Sequence, residues 1–259
     1  MPSWRTLARD FRREMSEDHL GQGAAALAFY WMLALFPAAL FLLTLLAYLP
    51  IPHLERAVLY VARTTLPEDA GALLSSFVDS VAAHKRGGLL SFGAILTVWS
   101  TSSGIHALMH QLNVAWDVDE KRPFWKRRAV AMLIAMCFVL LVIAAFGIIV
   151  FGRALHLRLL RWIVVCAALL VGIALIYHYG PNVRRRFRLV TPGSLLALAV
   201  LIVASVGFQI FASHVASFNI TYGSLGAGIT LMLWLYLAAW AILLGAELDA
   251  TLASYARRK

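Results

Sequence analysis

Charge is scarce in this chain, and acid is scarcer than base: 14% of its 259 residues are charged, with 13 acidic residues against 23 Lys and Arg. With 61% hydrophobic residues, a soluble domain of this size would have too little polar surface to face water. The two cysteines, Cys137 and Cys166, both sit in apolar runs, which excludes a disulfide framework and a cysteine-based metal site. No Walker A sequence occurs, so ATP hydrolysis by this chain is not expected. A nucleophile elbow and a clustered Asp/Glu set for a two-metal nuclease are also missing. These absences point away from an enzyme and imply neither cofactor nor metal.

What is present is apolar sequence in long blocks. A hydrocarbon core about 30 Å thick needs roughly 20 apolar residues in a helix. Six stretches meet that length, at about 23–49, 88–108, 129–150, 162–178, 192–211 and 226–248. They are apolar all round rather than alternating, which excludes an outer-membrane barrel. The expectation is all-α: a polytopic membrane protein, one domain over residues 1–259, built as a bundle of six transmembrane helices. The polar start of about 20 residues and the length of the first apolar run argue against a cleaved signal peptide.

Lys and Arg orient the bundle. With both termini in the cytoplasm, 16 basic residues fall inside and 7 outside, which favours that orientation. Basic loops beside anionic headgroups account for the net charge of +10, so membrane lipids are the expected partners. The run at 184–188 offers only Phe187 for base stacking, and no nucleic acid is expected. Faces of small residues permit a homo-oligomer without demanding one.

The longest extramembrane piece is residues 50–87. Thr65 and Glu68 have capping-box spacing, and Leu74, Phe77, Val78 and Val81 share one helical face. An amphipathic extracytoplasmic helical segment is expected there. In the loop from 117 to 128, three acids mix with five bases; Trp116 and Trp125 are read as interface markers.

Several polar residues inside or beside the spans are candidates for substrate contact or ion coupling. Ser100, Thr101, Ser102 and Ser103 place four hydroxyls in an apolar run, where each needs a partner. His106 and His110 share a face, but no third metal ligand is evident, so packing or hydrogen bonding is the expectation. Pro37 marks an expected helix break in the first span, serving either packing or a cavity. The stretch from Gln209 to Gly228 is polar, neutral and glycine-dotted, and it adds Gln209, Asn219 and Tyr222. Its middle, 212–225, reads as either a plain hairpin or a re-entrant segment. Glu247 and Asp249 close the sixth span. An intramembrane acid is a functional candidate by default, whereas pairing with the arginines at 184–188 would make these two structural.

The motifs AAALAFYWMLALFP at 24–37, LLSFG at 89–93, WSTSSG at 99–104 and NVAW at 113–116 follow one another along the chain. TYGSLGA at 221–227, LWLYL at 233–237 and GAEL at 245–248 complete the series. In that order the sequence resembles the YihY/BrkB family of bacterial inner-membrane proteins over nearly its whole length. One departure is Ala34, where the family pattern leads us to expect Ser, so any hydroxyl role there is lost. The resemblance implies six transmembrane helices in a bacterial inner membrane and links to serum resistance or to movement of lipids or solutes. The ribonuclease label attached to the family finds no nuclease site in these residues. The leading expectation is a transporter or flippase-like protein for a lipid or amphiphilic solute. The alternative is a non-catalytic membrane scaffold in envelope assembly or serum resistance.

Overall fold

A computed structural model describes residues 4–48, 87–152, 158–183, 185–215 and 219–257. Among the described residues there is no strand, and the helices are α1 (Trp4–Glu17), α2 (Leu20–Tyr48), α3 (Gly87–Ala115), α4 (Phe124–Gly152), α5 (Arg158–Tyr179), α6 (Pro192–Val215) and α7 (Asn219–Arg257). Three contain stretches long and apolar enough to cross a membrane: Trp162–Tyr179, Pro192–Phe211 and Gly228–Ala256. A shorter apolar helix, Leu20–Leu35, opens α2. Helices satisfy their own backbone groups in hydrocarbon, so this is an all-helical membrane protein. The expected amphipathic helix within 50–87 lies outside the described residues.

The chain divides into two compact units, Met1–Met32 with Ser102–Lys259, and Leu33–Thr101. In the second unit α2 runs through Pro37 without ending, so the expected break is not a break in the helix. Proline has no N–H to give the carbonyl four residues back, a local defect that the helix tolerates. Thr97 of α3 donates its hydroxyl to the Pro37 carbonyl at 2.7 Å, so a polar side chain of the second apolar stretch serves that site.

The first unit has a core of Leu20, Leu27, Leu112, Ile173, Tyr177 and Leu243, with α6 and α7 packed most closely of all. Outward-facing Met132 and Met136 of α4 and Val203, Val206 and Ile210 of α6 leave an apolar exterior, the surface that lipid requires. The polar N-terminal stretch is itself a helix. Phe11 and Met15 of α1 lie against the core, while Arg5, Arg9, Arg12 and Arg13 point outward. The expected polar start is thus an amphipathic helix, recognisable by its 3.6-residue period rather than by its low apolar content. Within the segment 212–225, α6 continues to Val215 and α7 begins at Asn219, with 216–218 outside the described residues. Gly223 and Gly226 therefore lie in a helix, where their small size does not enforce a bend.

Local rules explain the ends. α6 starts at Thr-Pro-Gly-Ser: Ser194 N–H donates to Thr191 Oγ1 at 3.0 Å, and Thr191 N–H donates to Ser194 Oγ at 2.8 Å. Pro192 occupies the first turn, where its missing N–H costs nothing. α1 and α3 end at residues in the left-handed region, His19 at φ 48° and Asp117 at φ 50°. After α3, Val118 N–H reaches the Asn113 carbonyl at 3.0 Å and Asp117 N–H that of Val114 at 2.9 Å, closing the helix in a Schellman turn.

Candidate functional site

The α1–α2 turn, the end of α3 and the last third of α7 meet at one end of the first unit. α7 presents Ala239, Leu243, Ala246 and Ala250 to the core at helical spacing, and Glu247 falls on that same face. It is 2% exposed. Its carboxyl group is hydrogen-bonded to that of Asp18, which the left-handed turn at His19 holds against α7. One Glu247 oxygen, Oε2, has no hydrogen-bond partner among the described residues. Burial, and then the Asp117 charge, push the Asp18 carboxyl up to about 6, against the hydrogen bond from Glu247 that pulls it down. Glu14 and Glu17 add further negative potential from α1, each tied to Arg13 at 3.5 and 3.3 Å.

Asp249, two residues on, is built differently. Its Oδ1 accepts the Gly193 N–H at 2.8 Å, capping the start of α6, and Arg185 stands 4.0 Å from Oδ2. Arg185 also stacks over Trp116, 4.5 Å from the ring centroid, and donates to the Tyr177 carbonyl. Trp116 is therefore buried beneath a cation rather than set at a membrane interface, whereas Trp125 is 80% exposed. Pairing of the terminal acids with the arginine run holds for Asp249 and not for Glu247. Beside this lock Tyr177 donates to the Ile242 carbonyl at 2.5 Å.

A second polar clamp joins the loop after α3 to the loop after α5. Glu120 receives Arg122 through both carboxylate oxygens, at 2.8 and 2.7 Å, and the Asn113 amide at 2.9 Å. Arg122 continues to the carbonyls of Tyr179 at 3.1 Å and Gly180 at 2.7 Å. Asn113 Oδ1 accepts the Asn182 N–H at 2.7 Å. Burial raises the Glu120 carboxyl, but the Arg122 and Asn113 hydrogen bonds overcome it and hold it near 2.

The other candidates separate. Ser102 is 1% exposed and its hydroxyl has no partner among the described residues, while Ser100, Thr101 and Ser103 are half-buried. Gln209 is exposed on the outer face of α6, away from the core. Asn219 and Tyr222 lie in the first turns of α7, with side chains outside the described residues. His110 is exposed and His106 half-buried, and among the described residues no three His, Cys, Asp or Glu side chains are placed to hold a metal. A polar cleft between α1 and α7 is lined by Asp10, Arg13, Glu14, Thr251, Ser254 and Tyr255, with Tyr255 donating to Asp10. Asp18 escaped the reading of the sequence because it precedes the first apolar run; its only signal is an acid immediately before a helix restart.

A family model described as virulence factor BrkB matches residues 11–259. YfkH of Bacillus subtilis (strain 168), whose name calls it ribonuclease-like, is 36% identical over 252 residues, covering 90% of each chain. Proteins named UPF0761 membrane protein from Verminephrobacter eiseniae and Delftia acidovorans are each 27% identical, over 97% and 96% of this chain. The chain spans only 63% and 62% of those two relatives' length. No solved structure matches.

Proposed function

The chain belongs to the BrkB family, and from that membership we propose that it is a six-span, multi-pass protein of the bacterial inner membrane that moves a lipid or amphiphilic solute as a transporter or flippase. The observation that carries the reading is Glu247: a buried acid on an apolar helix, with one oxygen unpartnered and no cation paired with it among the described residues. Asp249, at similar depth, also leaves one oxygen without a hydrogen bond among the described residues, but it has a backbone N–H and a nearby arginine where Glu247 has another carboxyl group. Ser102, buried with a hydroxyl that has no partner among the described residues, adds a second polar group inside the bundle.

Three features support the topology. The helices α2, α3 and α4 each have 29 residues, about 44 Å of length, more than a bilayer core about 30 Å thick requires. The Asp10–Tyr255 hydrogen bond favours an even number of crossings, because it joins α1 to the far end of α7. The loops after α3 and α5, which meet through Arg122, are the ones that the basic residues assign to the cytoplasm. Outward arginines on α1 suit anionic headgroups, the partner we assign to this face.

We read the protein as non-catalytic. The ribonuclease-like name of YfkH is said of that protein and is not carried over. The test is reconstitution into phosphatidylethanolamine–phosphatidylglycerol vesicles carrying a trace of fluorescent phosphatidylglycerol. Dithionite should bleach the inner-leaflet probe in wild-type vesicles, and Glu247→Gln should abolish that bleaching. Bleaching equal to protein-free vesicles would overturn the lipid reading and favour the scaffold.

A further inference from the structure

Two acids of α7 have different partners, although each leaves one carboxyl oxygen without a hydrogen bond among the described residues. Asp249 has an N–H donor and an arginine. Glu247, more deeply buried, has another carboxyl group as its hydrogen-bonding neighbour. Two carboxylates cannot hydrogen-bond to each other unless one carries a proton, because both are then acceptors only. We propose that Asp18 and Glu247 together form a binding site for one exchangeable proton, and that this proton is the ion to which movement of substrate is coupled. The second half of the statement rests on the transporter reading; the first does not.

The surroundings fit a proton rather than a metal ion. Facing the pair are Glu14 and Glu17 from α1, both engaged by Arg13, and Asp117 from the end of α3. None of these converges with the pair into a set that could ligate a metal. Their charge acts at a distance: it raises the cost of a second negative charge at the pair and so favours keeping one proton. The first turn of α2, which follows the Asp18 turn, is closely packed. A Cβ on Gly23 would run into the Gln111 side chain of α3, and one on Gly21 would stand 3.5 Å from the Tyr236 hydroxyl of α7.

Location gives the proton a consequence. Asp18 sits at the His19 turn, the joint between an amphipathic helix and the first apolar one. α1 is held to α7 by the Asp10–Tyr255 bond and by Phe11 and Met15 against the core. Loss of the proton sets two adjacent charges of one sign between that joint and α7, with Asp117 close by. The α1–α2 turn is then pushed from α7, while the Asp249–Arg185 lock, which does not share the proton, stays closed.

Infrared spectroscopy of the full chain in phosphatidylethanolamine–phosphatidylglycerol nanodiscs tests this, because protonated and ionised carboxyl groups absorb separately. As pH rises through about 6, the wild type should retain a carboxylic-acid band that both Glu247→Gln and Asp18→Asn remove or displace. Asp18→Asn lies at the joint rather than within α7, so it keeps the test open if Glu247→Gln does not fold. A band unchanged in Asp18→Asn, or no protonated carboxyl at all, overturns the proposal. The vesicle assay separates it from the transport reading. Lipid movement that ignores both a pH gradient and Asp18→Asn defeats the coupling and leaves the transporter standing. A titrating band without lipid movement defeats the transporter and leaves the proton site standing.

Discussion

Glu120 and Asp18 are both loop carboxyl groups at the same end of the bundle, yet their environments drive them in opposite directions. Glu120 is held near 2, below its unfolded value of 4.5, by Arg122 and Asn113. Its contribution to stability is therefore full above pH 4.5 and is lost as pH falls toward 2. We expect Glu120→Gln to lower stability by about 1–3 kcal/mol at neutral pH, because Arg122 loses its ionised partner. The deficit should vanish near pH 2 when thermal unfolding in detergent is followed by tryptophan fluorescence. Asp18 runs the other way. Its folded value of about 6 exceeds the unfolded 3.8, so the native state binds more protons between these limits and stability falls as pH rises through them. Asp18→Asn should flatten that slope and raise Tm at neutral pH; a variant with the wild-type slope would contradict the assignment. At this scale the sequence was half legible. Glu247 stands out as an acid in an apolar run, but its partner lies 229 positions away in a segment without apolar pattern. Only the fold brings the two together.

At the scale of elements, α6 and α7 approach closely because glycine faces backbone on both sides. A Cβ on Gly245 would overlap the Gly193 carbonyl oxygen and the Tyr177 hydroxyl, and would stand 2.7 Å from the Ala197 Cβ. These are backbone or tightly packed atoms that cannot swing aside. Gly245→Ala should therefore destabilise by about 1–3 kcal/mol despite its better helix propensity. It should also loosen Asp249 from Gly193, which proteolysis of the loop at 185–191 would report as faster cleavage. An unchanged Tm would show that the two helices can separate freely. The apolar runs announced α5, α6 and α7 because each needs about 20 apolar residues whatever its neighbours. α1 escaped because an amphipathic helix is half polar by design, and the start of α7 because Asn219, Thr221, Tyr222 and Gly223 have weak local preferences that the long helix overrides. The cap at Thr191 to Ser194 was written plainly in the sequence but went unread among the apolar residues around it.

For the whole molecule, the arrangement of polar contacts carries the topology. The α1–α2 turn, the loop after α3, the loop after α5 and the end of α7 form one connected layer, running through Asp18–Glu247, Arg185–Trp116 and Arg122–Gly180. These are the segments with the larger share of Lys and Arg, so the positive-inside rule and the packing of the first unit select the same face. A chain whose two ends share a face crosses an even number of times. The expected result is direct: with Cys137 and Cys166 replaced by alanine, Glu17→Cys and Ala256→Cys should react with a membrane-impermeant maleimide only after the inner membrane is opened. Ser75→Cys, in the long segment between α2 and α3, should react from outside in cells whose outer barrier is permeable. Labelling of Glu17→Cys and Ala256→Cys from opposite sides would break the even count and, with it, the Asp10–Tyr255 contact. Labelling of both from the periplasmic side would keep the fold but invert it. The carboxyl pair would then draw its proton from outside the cell, and a gradient would drive substrate in the opposite direction.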